Sequence, residues 1–129
     1  MEVFETLGGW SERYQYLVDL GRGLEGLDPL DRNDSTYIPG CLSPLWLVVK
    51  IREEQDVSVL QLKGDAEGVL PRGLVALMEY FFDGIPVAQL AQWTGDLGRL
   101  LGLDKNLTPT RAAAFVNLQK RVREVALNG

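Results

Sequence analysis

A run of strand-forming residues in the middle of the chain restricts the possible folds most. In Leu45-Trp46-Leu47-Val48-Val49-Lys50-Ile51 every second residue is aliphatic, so one face of a strand would be uniformly apolar. A polar connection over 52–56 separates this run from 57–63, which we expect to be its antiparallel partner, ended by Gly64-Asp65. An apolar face of this kind has to be covered, which indicates a small sheet backed by helices.

On both sides of the run the apolar spacing changes to that of helices. From Pro71 to Phe82 a wide apolar stripe predicts a central core helix that ends before Gly84. Thr108-Pro109 is typical of a helix start, and this last helix is predicted to run to about residue 127 and to bury Phe115, Leu118, Val122 and Val125. The other predicted elements are a helix capped by Ser11 and closed by Gly21 and Gly23, a helix opened by Pro86, short helices within 3–7 and 95–104, and a short strand at 36–38. We therefore expect an α+β fold with an antiparallel sheet of about three strands packed against helices, in one domain over residues 1–129.

Composition and charge exclude several classes of function. The net charge is −5 over 129 residues, whereas nucleic-acid-binding proteins usually carry a basic stripe. We expect no membrane span, because no apolar run approaches 18 residues, and the acidic start is unlike a secretory signal. With no histidine and one cysteine, the chain alone cannot supply the usual zinc or iron–sulfur ligands, a Ser–His or Cys–His pair, or an internal disulfide. A single cysteine fits a reducing compartment, so we expect a cytoplasmic protein, with the interior of a plastid or cyanobacterium as the alternative.

The single cysteine, Cys41, stands directly after a Pro-Gly pair. Pro39 fixes its own φ and Gly40 permits a sharp turn, so the pattern predicts a thiol presented at a turn before the strand. A lone cysteine is more often a small buried apolar residue, and this alternative stays open on composition alone. A core cysteine, however, normally lies within a helix or strand, and Ser43 with the backbone amides of the turn could donate hydrogen bonds to a thiolate.

Two further residues are candidates for a supporting role. Arg111 occupies the third position of the last helix, where a capping box would place Glu or Gln, and a cation there faces the positive end of the helix dipole. We hypothesise that Arg111 faces a thiolate or persulfide at Cys41, in which case Arg111→Ala raises the apparent pKa of Cys41 in alkylation; a solvated arginine is the alternative. Asp65 is expected to cap the core helix or to touch a partner, the cap being favoured. The charged residues Asp28, Asp31, Arg32 and Asp34 are expected to be a solvated loop, and Trp46 to pack on the sheet.

Several short motifs, in order, carry a resemblance to a known family. They are Gly40-Cys41-x-Ser43-x-x-Trp46, Leu62-x-Gly64-Asp65, Gly73-Leu74 and Leu107-Thr108-Pro109-x-Arg111, preceded by Trp10-x-Glu12-x-Tyr14 and Leu20-Gly21. Each motif is weak alone, but together they resemble the SufE/CsdE family of sulfur acceptor proteins over nearly the whole chain. The sequence departs from the family pattern at Thr36 and Leu42, where Asn and Gln are common.

The resemblance implies a partner-dependent sulfur carrier and not a stand-alone enzyme. Cys41 would take persulfide sulfur from a SufS-type or CsdA-type cysteine desulfurase, stimulate that enzyme, and pass the sulfur to a SufBCD-type scaffold for iron–sulfur cluster assembly. The implied fold resembles that of IscU scaffold proteins. Thiolate attack on a sulfur–sulfur bond requires no histidine, metal or cofactor in the acceptor. We expect a monomer or weak homodimer that binds neither nucleic acid nor membrane.

Three other functions are compatible with parts of the sequence. The chain could stimulate a desulfurase allosterically without carrying sulfur, and Cys41→Ser would separate this from sulfur acceptance. A scaffold for cluster assembly is disfavoured by the single cysteine and the absence of histidine. A thiol redox sensor or a peroxidatic enzyme would need a resolving thiol from another molecule.

Overall fold

A long β-hairpin forms the centre of the structure, a computed structural model that describes residues 10–38, 44–93, 95, 97 and 107–128. Strand β1 (Leu45–Glu54) pairs antiparallel with β2 (Val57–Ala66) in a continuous register from Leu45↔Ala66 to Glu54↔Val57. Gln55 and Asp56 make the turn with φ of 51° and 67°, because a two-residue hairpin turn of this hand needs positive φ at both positions. The predicted antiparallel pair is confirmed.

Both strands extend further than the sequence pattern predicted. Strand β1 continues past Ile51 into charged residues, because its exposed end needs no apolar face. Strand β2 includes Gly64 and Asp65, which we had expected to end it; this prediction was wrong. The pairs Leu47↔Gly64 and Trp46↔Asp65 continue the ladder, since the buried start of β1 needs hydrogen-bond partners for its backbone.

Single bridges cover the two outer edges of the hairpin. Tyr37 pairs with Trp46 on the β1 side, so the short strand predicted at 36–38 is reduced to one bridge. On the β2 side Pro86 pairs with Val59, and Leu60 exchanges backbone hydrogen bonds with Gly84 and Ile85. These contacts cover edges that would otherwise expose unpaired backbone groups.

Four α-helices are described, and the main ones agree with prediction. They are α1 (Trp10–Arg22), α2 (Val69–Phe82), α3 (Val87–Ala91) and α4 (Pro109–Asn128), with a 3-10 turn at Pro29–Asp31. Ser11 lies within α1 instead of capping it. The short helix predicted at 3–7 lies outside the described residues, as does most of the one predicted at 95–104. Among the described residues, no helix combines the length and apolarity needed to cross a membrane.

One hydrophobic core joins the hairpin to helices α1, α2 and α4. Helix α2 lies against both α1 and β2, and α4 contacts β1, α2 and α3. Val125 is only half-buried, whereas Ala126 on the same helix is buried. The largest fully buried side chains include Leu17 of α1, Leu45 and Leu47 of β1, Leu60 and Leu62 of β2, Leu74, Leu77 and Met78 of α2, and Phe115 of α4.

Candidate functional site

The residues predicted for the site fall into two groups. Gly40, Cys41 and Ser43 belong to segment 39–43, which lies outside the described residues. Asp65 and Arg111 are described and lie on different elements, in β2 and in the first turn of α4. What the structure gives for Cys41 is therefore the arrangement of the chain on either side of it.

The two stretches that flank segment 39–43 are hydrogen-bonded to each other. Ile38 N donates to Leu45 O at 2.9 Å, and Leu47 N donates to Thr36 O at 2.8 Å. Ile38 and Leu45 are also buried, with 1% and 0% of their surface exposed. We refer to 35–38 and 44–47 as the paired flanks. The chain thus enters and leaves the cysteine-containing segment at one firmly packed place on the β1 edge.

Arg121 of helix α4 holds the first of the paired flanks. Its Nη1 donates to Ser35 O at 3.1 Å and its Nη2 to Tyr37 O at 3.2 Å. The two Nη atoms of one guanidinium thereby donate to carbonyls two residues apart, an arrangement that a lysine ammonium would not reproduce. The sequence pattern gave no indication of this contact, because the partners lie 86 and 84 residues away along the chain.

Asp65 is a buried carboxylate that accepts four hydrogen bonds. Its Oδ2 accepts from Leu27 N at 3.0 Å and from Arg32 Nη2 at 2.6 Å. Its Oδ1 accepts from Ala66 N at 2.8 Å and from Arg72 Nη1 at 2.6 Å. Only 1% of the residue is exposed, so these bonds replace the water that an ionised carboxylate needs.

Hydrogen bonding keeps Asp65 ionised despite its burial. Burial raises the pKa of Asp65, but the Leu27 and Ala66 amides and the Arg32 guanidinium outweigh it and hold the pKa below its usual value. The predicted cap role is wrong: Gly68 precedes α2 and no side-chain hydrogen bond caps the helix there. Asp65 is instead part of strand β2, and its carboxylate bonds to Arg32 and Arg72, which lie outside that strand.

Arg32 connects Asp65 to Trp46 in the second of the paired flanks. Its guanidinium lies 5.4 Å from the centre of the Trp46 ring, close enough for a cation–π contact. Arg32 was expected to belong to a solvated loop, and this is corrected: its side chain is 37% exposed and ion-paired to Asp65. The charge pattern alone could not show this, because the partner lies 33 residues away.

Arg72 fastens the end of α1 to the same carboxylate. Besides Asp65, it donates from Nη2 to Leu24 O at 2.8 Å and from Nε to Gly21 O at 3.3 Å. At Gly26, φ is +82° and an added Cβ would lie 2.8 Å from Asp65 Oδ2, so this close approach requires glycine. The chain between α1 and β1 is thereby held against β2.

Arg111 lies in the position that the sequence predicted, at the start of α4. Its backbone N donates to the capping Thr108 Oγ1 at 3.4 Å. Within the described ranges its half-buried guanidinium makes no hydrogen bond or ion pair. At 1.5 Å per residue, Arg111 is about 15 Å along the helix axis from Arg121. Its proposed contact with Cys41 stays a prediction, since Cys41 itself is not described.

The described ranges also hold no group of three or more Asp, Glu, His or Cys placed to bind a metal ion. The candidate site therefore consists of a thiol-bearing segment whose flanks are paired with each other and held by cations from two other elements. The role of the Cys41 thiol stays a prediction, and the contacts of Arg32 and Arg121 were not predicted from the sequence.

Comparison with known proteins identifies the class of this chain. The family model "SufE: Fe-S metabolism associated domain" matches residues 1–126, so the chain belongs to the SufE family, which is associated with iron–sulfur metabolism. A SufE-like protein of Rhizobium etli is 30% identical over 127 residues, covering 98% of this chain and 86% of that protein. The chloroplastic/mitochondrial SufE-like protein 1 of Arabidopsis thaliana is 29% identical over 128 residues, covering 99% of this chain but 34% of that longer protein.

A solved structure supports the fold independently of sequence identity. The solution structure of a hypothetical protein from Thermus thermophilus matches with a TM-score of 0.74, although only 16% of residues are identical. The match covers 98% of this chain and 90% of the other. It confirms the α+β architecture predicted from the sequence.

Proposed function

We propose that this chain is a sulfur acceptor, which takes persulfide sulfur from a cysteine desulfurase onto Cys41 and passes it towards iron–sulfur cluster assembly. The observation that carries the proposal is the SufE family match over residues 1–126, a range that includes the single cysteine of the chain, Cys41. The paired flanks support it, since they hold both ends of the cysteine segment at one place on the β1 edge.

The transfer itself requires little from the acceptor. The Cys41 thiolate attacks the terminal sulfur of the donor persulfide, a new sulfur–sulfur bond forms at Cys41 Sγ, and the bond in the donor breaks. The donor cysteine leaves as a thiolate and takes up a proton equivalent to the one that Cys41 lost. The sulfur atom moves without net oxidation or reduction, so no redox co-reactant is consumed.

The partners follow from the same proposal. The donor is a desulfurase of the SufS or CsdA type, and a SufBCD-type scaffold is the proposed recipient. A reducing compartment suits a free thiol of this kind, and cytoplasmic localisation stays a prediction. The Arabidopsis relative is a chloroplastic/mitochondrial protein, and that compartment belongs to the plant protein.

Mass spectrometry under non-reducing conditions tests sulfur acceptance directly. The protein is incubated with a cysteine desulfurase and L-cysteine, and we expect a gain of one sulfur mass located on the peptide that contains Cys41. Cys41→Ser is the control and should gain nothing. If wild-type protein stays unmodified while it and Cys41→Ser both accelerate the desulfurase, the chain is an allosteric activator and the proposal is wrong.

A further inference from the structure

We infer that Arg121 is a positioning residue for the reaction of Cys41, acting through the backbone that leads into segment 39–43. The inference rests on the proposed function, because it names a residue on which sulfur transfer to Cys41 depends. The carbonyls of Ser35 and Tyr37, to which the Arg121 guanidinium donates, lie four to six residues before Cys41.

The position of these bonds is what gives them a functional consequence. Tyr37 is the residue that bridges to Trp46, and its neighbours Thr36 and Ile38 make the hydrogen bonds to Leu47 and Leu45. Arg121 therefore engages the outer side of the flank whose inner side is paired with β1. It holds the carbonyls from helix α4, which packs against the core, while Arg32 lies over Trp46 in the opposite flank.

The chemistry explains why such a support matters for transfer between two proteins. The attacking thiolate has to meet a sulfur atom held in another molecule, in line with the bond that breaks. A displacement of about 1 Å of a reacting group can lower a rate by up to about a hundredfold. A small alkylating reagent, in contrast, diffuses to the thiol from any side and does not depend on how the flanks are held.

Arg123 offers a matched control on the same helix. It is also an arginine that donates to a distant backbone carbonyl, Gly95 O at 2.8 Å, and it stacks 5.0 Å from the centre of the Trp93 ring. Its contacts lie away from the paired flanks. Arg123→Ala thus removes a comparable interaction without touching the cysteine segment.

The experiment compares wild type, Arg121→Ala, Arg121→Lys and Arg123→Ala in three measurements. In Arg121→Ala we expect hydrogen exchange at the Ile38 and Leu47 amides to accelerate about tenfold, the effect of losing roughly one charged hydrogen bond. Single-turnover sulfur transfer from the loaded desulfurase should slow by about fivefold or more. Alkylation of Cys41 by iodoacetamide should stay within about twofold, because its reactivity as a thiol is unchanged. Arg121→Lys should lie between wild type and Arg121→Ala, and Arg123→Ala should match wild type at the two amides and in transfer.

The outcomes separate this inference from the proposed function. If wild-type protein accepts sulfur and Arg121→Ala accepts it equally fast, the role of Arg121 is overturned and the proposed function stands. Unchanged exchange at Ile38 and Leu47 would overturn it in the same way. If transfer slows as much in Arg123→Ala as in Arg121→Ala, the effect is a general loss of stability, and a positioning role for Arg121 is contradicted. If wild-type protein accepts no sulfur, both proposals fail together.

Discussion

Removal of the Asp65 charge would leave two arginines facing a buried site without an anion. The guanidinium groups of Arg32 and Arg72 each lie 2.6 Å from an Asp65 carboxylate oxygen. The side chain of Arg32 is 37% exposed to solvent and that of Arg72 is 30% exposed. Breaking a buried ion pair by removing one partner costs about 3–5 kcal/mol, and partial hydration of the arginines lowers the expected loss for Asp65→Asn to about 2–4 kcal/mol. Urea unfolding measures this difference.

An exposed neighbour provides the control for that measurement. Glu67→Gln makes the same chemical change two residues further along, on an exposed side chain, and should alter the free energy of unfolding by less than about 0.5 kcal/mol. Equal effects of the two substitutions would show that Asp65 contributes no more than an ordinary surface carboxylate.

At the scale of elements, helices α1 and α2 approach each other closely at two glycines, Gly21 of α1 and Gly73 of α2. An added Cβ at Gly73 would lie 2.4 Å from the backbone oxygen of Leu17, and backbone cannot move aside as a flexible side chain does. Alanine normally gains about 1 kcal/mol over glycine within a helix. Here we expect Gly73→Ala to destabilise the protein by about 1–3 kcal/mol, because the two helices must separate. Thermal unfolding of wild type and Gly73→Ala shows whether the substitution lowers or raises the stability of the protein.

The control for this prediction lies at the end of α1. A Cβ at Gly23 would approach only Leu20 O, at the ordinary contact distance of 3.5 Å. Gly23→Ala should therefore change stability by less than about 1 kcal/mol, with no sign of helix separation. A Gly73→Ala protein more stable than wild type would contradict the close helix contact.

The elements were largely predictable from the sequence, whereas the support of the site was not. Period-two aliphatic residues in 45–51 and the stripe after Pro71 each identify an element from neighbours within a few positions. Thr108 was likewise recognised as the cap of the last helix from local pattern alone. The roles of Asp65 and Arg121 could not be found this way, because their partners come together only when the whole chain has folded.

At the scale of the whole molecule, one carboxylate links stability to pH in the neutral range. Burial, together with the nearby Asp83 and Glu25 charges, raises the pKa of Glu79 to about 7, against the opposing effects of the Gly64 amide and Lys63. Between its unfolded pKa of 4.5 and about 7 the unfolded chain has released this proton and the folded chain still holds it. The contribution of Glu79 to the free energy of unfolding is therefore fully present below pH 4.5, and it is lost as the pH rises to about 7.

Glu79→Gln should remove this dependence. We expect wild-type protein to lose about 1–3 kcal/mol of unfolding free energy from pH 5 to pH 8 through this group. The glutamine variant should lose correspondingly less, and it should be the more stable of the two at pH 8. Urea titrations at both pH values measure the difference, and parallel curves for the two proteins would contradict the assignment. Asp65 acts in the opposite direction, because its lowered pKa means that stability is lost only as the pH falls through the acid range.

The bonds from Arg121 to Ser35 and Tyr37 also have a consequence for the time at which the site is completed. They join residues that are 84 and 86 positions apart, so they form only after α4 has been synthesised and has docked. The hairpin, whose partners are close in sequence, can form much earlier. A chain in which α4 has not yet been made, or has detached, would thus carry Cys41 without this support, so the bonds to Ser35 and Tyr37 report that α4 has docked.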